Sequence, residues 1–126
     1  MNYFIDDRGR SIFDVFPDLP GQINVSVIEP GAVKAFHRHQ KQEDWVTCLK
    51  GALKLVLYDN VNGLNIHVLS EYKPAMIRIP VNTWHGYQAL GGEPGTILYY
   101  CTQKFDGKDE ERCDWDEFYD WKIENK

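Results

Sequence analysis

The chain is poor in cysteine. Its 126 residues hold three, Cys48, Cys101 and Cys113. An odd, widely spaced set supplies no disulfide framework and no CxxC zinc site. Cys48 and Cys101 fall in expected strands and read as small buried apolar residues rather than nucleophiles. Long apolar runs are also missing. No stretch approaches the roughly 18 to 20 residues that a membrane-spanning helix needs, and no hydrophobic leader follows Met1. These absences give the expectation of a reduced, cytoplasmic protein with no membrane partner. Positive charge is in deficit, with 14 Lys and Arg against 19 Asp and Glu and a net charge of -5. A phosphate backbone needs a basic face, so a nucleic-acid partner is not expected. A local basic pocket for one small phosphorylated ligand remains compatible. An extended 3.6-residue apolar period is lacking between Ile23 and Thr102, and no internal repeat or low-complexity segment occurs.

What is present is a succession of short apolar segments divided by turn residues. Ile23–Ile28 alternates and ends at Glu29-Pro30-Gly31. Val33–His39, Trp45–Leu49, Leu53–Tyr58, Leu64–Leu69, Met76–Ile79, His85–Leu90 and Thr96–Thr102 follow. Leu53, Leu55 and Leu57 share one strand face. Asp59 to Gly63 reads as a hairpin loop, with Asn62-Gly63 supplying positive φ. Seven or eight such strands predict an all-β sandwich or barrel. The length fits a single domain, divided as an N-terminal arm (1–22), a barrel (23–102) and an acidic, aromatic tail (103–126). Trp115, Phe118, Tyr119 and Trp121 stud that tail, which is expected to dock by its aromatics as an irregular or short helical arm. In the Leu64–Leu69 segment the apolar face is Leu64, Ile66 and Val68, which leaves His67 exposed. Arg78 is expected to face solvent.

Polar chemistry concentrates in GAVKAFHRHQKQEDWVTCLKG (31–51). His37 and His39 are two apart on a strand, so both imidazoles aim to the same side. Glu43 and Asp44 follow, and only one of these neighbours can point inward on a regular strand. A second cluster, IPVNTWHGYQAL (79–90), carries Pro80 and His85.

Gly31, His37, His39, a carboxylate at Glu43 or Asp44, and Gly51 resemble the first signature of the cupin superfamily. Pro80 and His85 resemble the second, with Asn82 in the usual glycine position and Ala89 in the usual asparagine position. The implied fold is a jelly-roll barrel. Asp7-Arg8-Gly9, KAFHRHQ, IPVNTWHGYQAL, ILYYCT and DEERCDW together resemble the dTDP-4-dehydrorhamnose 3,5-epimerase family, of which this is a short example. HRHQKQEDWVTCLKG is also similar to the dTDP-4-keto-6-deoxyhexose 3,4-ketoisomerases. The resemblance implies an epimerase or isomerase acting on a nucleotide-linked 4-keto-6-deoxy sugar, with no cofactor. It implies His37 as the base that removes the proton beside the ketone, with His39 as its neighbour. Tyr99 is the implied acid on the other face, and Tyr100 is the rival for that position. Lys34, His85 and Asp44 are the implied substrate-binding residues, with Lys34 at a diphosphate or enolate oxygen. Asp44 stands where full epimerases carry a lysine, so one isomerisation is expected rather than a double epimerisation. Arg112 and Trp115 match the late motif and are expected to pack the tail. Two other readings remain open. His37, His39, Glu43 and His85 are also ligand types for a divalent transition metal. A non-catalytic sugar-binding cupin would keep the pocket alone. A homodimer is expected, with Phe36 and the aromatic tail offering apolar surface.

Overall fold

A computed structural model describes residues 2–73 and 75–122. Eleven strands are formed and, among the described residues, no helix. In chain order they are β1 (Asn2–Asp6), β2 (Gly9–Phe13), β3 (Gln22–Ile28), β4 (Val33–His39), β5 (Asp44–Lys50), β6 (Ala52–Asp59), β7 (Gly63–Ser70), β8 (Ile77–Ile79), β9 (Trp84–Leu90), β10 (Gly95–Cys101) and β11 (Glu110–Arg112). They form a six-stranded sheet ordered β1-β2-β3-β10-β5-β8 and a five-stranded sheet ordered β11-β4-β9-β6-β7. Every strand pairing is antiparallel. The expected all-β jelly roll is the fold observed.

The two sheets close on an apolar core. Leu53, Leu55 and Leu57 of β6 point inward together and meet Ile28, Val46, Ile79 and Ile97. The strand period of two places them there, and Val56, between them, faces the opposite side. The hairpin from β6 to β7 closes as expected. Asp59 pairs with Gly63, whose φ is 71°, and the Asp59 carboxylate accepts N–H bonds from Val61 and Asn62 at 2.8 and 2.7 Å.

Four details differ from the sequence reading. Residues 1–22 are not a plain arm, because β1 and β2 form a hairpin that extends the six-stranded sheet. Leu64, Ile66 and Val68 point outward and are exposed, whereas His67 is half-buried. The register explains this: Ile66 lies opposite Val56 and His67 opposite Leu55, and directly opposed residues share a face. The tail contributes a strand rather than only an irregular or helical arm, since β11 pairs with β4, matching Glu110 to His39 and Arg112 to His37. Beyond it, Phe118 and Trp121 pack on Phe36 with ring centroids 5.3 and 5.6 Å apart. Phe36 and Trp121 are each only 1% exposed, so Phe36 is not free surface for a dimer. The Trp121 indole donates to the Trp115 carbonyl at 2.7 Å, while Trp115 itself stays exposed.

Candidate active site

Between the sheets lies a cavity of about 830 Å³. His37 and His39 line it, and the buried His85 packs against both. His37 and His39 come from β4 and His85 from β9, with His37 directly opposite His85 in the strand register. The His37 and His85 ring centroids are 4.3 Å apart, and one nitrogen from each of the three rings lies within 4.8 Å of the others. The turn before β9 aims His85. Asn82 has φ 60°, a left-handed conformation that asparagine tolerates and that suits its glycine-like place in the motif. Its N–H donates to the His39 carbonyl at 2.8 Å, tying the two histidine-bearing strands together. Gly86 follows His85 because an added Cβ would collide with that of Ala35 on β4.

Lys34 and His37 both line the cavity, although residues three apart on a regular strand face opposite sides. Between them the register shifts: Lys34 pairs with Tyr87 and His37 with His85, so β4 carries one extra residue. This β-bulge turns both side chains to the same cavity. Lys34 is half-buried, and burial lowers its ammonium pKa, with Arg8 adding repulsion. Tyr99 stands on the facing wall, on β10, with its hydroxyl 3.4 Å from the Ser26 hydroxyl. Burial raises its pKa, so it stays a protonated donor. Tyr100, its rival, is absent from the lining and partly exposed on the outer face.

The choice between the two carboxylates is resolved. Asp44 opens β5 pointing inward, where it is 3% exposed. It accepts a hydrogen bond from the Gln42 amide at 2.6 Å and lies 3.7 Å from Nε2 of His85. Glu43, one residue earlier, points outward and pairs with Arg78. Glu43 therefore lies outside the histidine cluster for which it was an alternative metal ligand, and Arg78 faces solvent as expected while pairing with that carboxylate. Nδ1 of His85 donates to the Thr83 carbonyl at 3.0 Å. That leaves Nε2 facing Asp44. Burial pushes the His37 imidazole well below its ordinary pKa, with His85 and His39 reinforcing it. Burial also lowers His85, and Asp44 opposes that shift. Two buried nitrogens, Nδ1 of His39 and Nε2 of His85, have no hydrogen-bond partner among the described residues.

Sequence reasoning missed part of this wall. Gln22, Asn24 and Ser26 of β3 are buried while Ile23, Val25 and Val27 are only partly so. All three polar residues line the cavity. The inverted alternation, polar inward, was the available signal. Tyr87, two residues after His85 and on the same face, was also overlooked. Arg112 lines the cavity as well, beside Glu110 at 3.2 Å, in addition to its place in the tail.

Two antiparallel sheets around a histidine-lined cavity define a cupin. The chain belongs to the dTDP-4-dehydrorhamnose 3,5-epimerase family, whose model matches residues 6–124. It is 35% identical to the probable low-salt glycan biosynthesis epimerase Agl13 of Haloferax volcanii, over 94% of this chain and 88% of that one. It is also 35% identical to the spore coat polysaccharide biosynthesis protein SpsL of Bacillus subtilis, over 82% of this chain and 76% of that one. Among solved structures, a dTDP sugar isomerase from Desulfovibrio desulfuricans G20 superposes with a TM-score of 0.77 at 22% identity. That superposition covers 98% of this chain and 88% of that one. This chain is a sugar-nucleotide epimerase or isomerase.

Proposed function

We propose that the enzyme isomerises a nucleotide-linked 4-keto-6-deoxy sugar by abstracting a proton alpha to the ketone, with His37 as the base. The observation that carries this reading is the pairing of His37 on one sheet with Tyr99 on the other, across one cavity. A base on one wall and an acid on the other suit removal of a proton from one face of the sugar and its return to the opposite face. The C–H electron pair moves into the ring to form the enolate as His37 takes the proton. Tyr99 then protonates the carbon and recovers its proton from solvent. The neutral imidazole of His37 is the competent form, and its burial among His39 and His85 keeps it neutral. Asp44 beside His85 offers a carboxylate that orients the histidine cluster, in place of an enolate-steadying lysine. Lys34, turned inward by the bulge, is the cation for a substrate anion. No cofactor enters this scheme. His37→Asn tests it: turnover falls about 10²–10⁴-fold, while calorimetry finds nucleotide-sugar affinity little changed. Retained turnover removes His37 from the role. Loss of both would mark a damaged pocket instead, and a wild type that binds without turnover would identify the non-catalytic sugar-binding cupin.

One observation favours a second reading. Three histidine nitrogens within 4.8 Å, with the two buried rings, His39 and His85, each carrying a nitrogen unpartnered among the described residues, suit a divalent transition metal. His37, His39 and His85 would hold it, and it would supply Lewis-acid polarisation of the sugar carbonyl. Elemental analysis of protein prepared without a metal-affinity tag separates the two readings, since stoichiometric metal supports the second and its absence the first. The reading also includes a homodimer and a cytoplasmic location. Light scattering tests the dimer. For the location, the three free cysteines suit a reducing compartment.

A further inference from the structure

An enolate needs a hydrogen-bond donor at its oxygen as urgently as the carbon needs a base. Asp44 cannot serve while ionised. Among the described residues, two phenols line the cavity, Tyr99 and Tyr87. Tyr99 already has the Ser26 hydroxyl beside it. Tyr87 has no recorded hydrogen bond among the described residues, although its ring is 5% exposed and sits in the apolar core.

The location of Tyr87 on the cavity wall defines the role open to its hydroxyl. It follows His85 by two residues on β9, so it shares that histidine's face, with ring centroids 6.3 Å apart. On the neighbouring strand its register partner is Lys34. Tyr87 and Lys34 are therefore neighbours on adjacent strands of the wall that carries His37. We propose that the Tyr87 hydroxyl is the donor that holds the enolate oxygen of the substrate. This rests on the proton-abstraction reading above and assigns the oxygen in that reaction. As His37 takes the C–H proton, the electron pair forms the C=C bond, and the carbonyl π pair moves onto oxygen. Tyr87 donates a hydrogen bond to that oxygen without transferring its proton. A phenol's ordinary pKa of about 10 keeps the hydroxyl protonated, and so a donor, at neutral pH. Reprotonation at carbon by Tyr99 returns the electrons to C=O, and the Tyr87 bond relaxes.

Tyr87→Phe removes one oxygen and keeps the packed ring. Turnover and uptake of solvent deuterium into the sugar should fall together by about 10²-fold, the usual cost of one oxyanion donor. The thermal melt and the affinity for dTDP should match wild type. A variant with 3-fluorotyrosine at position 87, which keeps the hydroxyl, should retain most of the rate. The proposal is overturned if Tyr87→Phe leaves kcat within a few-fold of wild type. It is equally overturned if deuterium uptake continues at the wild-type rate while product formation stops, or if 3-fluorotyrosine is as damaging as Phe. Absence of deuterium uptake in the wild-type enzyme would instead sink the underlying proton-abstraction reading.

Discussion

At the scale of single residues, the cavity divides labour by environment. His37 is half-buried beside two other imidazoles, and positive charge placed there is opposed by desolvation and by its neighbours. Its acid limb in kcat/KM should therefore lie below the ordinary imidazole pKa of about 6.5. Activity should persist at mildly acidic pH and be lost only as pH falls through the depressed value. The same shift acts on stability. The unfolded imidazole takes a proton more readily than the folded one, so stability is full above about pH 6.5 and declines as pH falls from there. A pH series of denaturation midpoints checks that sign, since stability rising with acidity contradicts it. Tyr99→Phe makes a different prediction. Abstraction by His37 survives, so substrate recovered from heavy water carries deuterium while product formation drops by about 10²-fold or more. Loss of exchange with turnover would give Tyr99 some other role. Of these residues, the histidines were legible because their spacing sets a face. The choice of Asp44 over Glu43 was not, because it depends on where β5 begins and on Arg78 drawing Glu43 outward.

At the scale of elements, the strands from β3 to β10 could be read from alternation and turn residues. The hairpin β1–β2 could not, since Tyr3, Phe4 and Ile5 remain exposed in a row and show no two-residue burial pattern. The bulge in β4 was equally invisible. It is a matter of pairing with β9, and nothing in VKAFHRH announces that Lys34 and His37 share a side. Close packing of β4 on β9 depends on Gly86, whose missing side chain admits Ala35. Gly86→Ala should destabilise the fold by about 1–3 kcal/mol, the usual cost of overpacking, and lower activity by shifting His85 away from His37. A urea titration and an activity assay on one preparation test both halves. Unchanged stability would mean that the strands separate at no cost.

At the scale of the whole molecule, the tail is structural. It folds over the outer face of the five-stranded sheet and buries Phe36, Val56 and Trp121 together. Because Phe36 lies next to His37 on β4, tail docking and site geometry share a strand. Trp121→Ala should cost about 3–5 kcal/mol, as large-to-small changes in a core do, measured by chemical denaturation. A loss below about 1 kcal/mol, the range of surface substitutions, would show that the tail is dispensable. The aromatic docking was foreseeable from composition. The pairing of β11 with the histidine strand was not, because EER carries no strand signature of its own.

The central claim is that His37 removes a carbon-bound proton beside a ketone. The direct measurement is proton NMR of a nucleotide-linked 4-keto-6-deoxy sugar in heavy water, with wild-type enzyme and with His37→Asn in parallel. The account predicts loss of the signal at C3 or C5 as deuterium enters with wild type, and a persistent signal with the variant. No deuterium uptake by wild type, or equal uptake by both proteins, would contradict it.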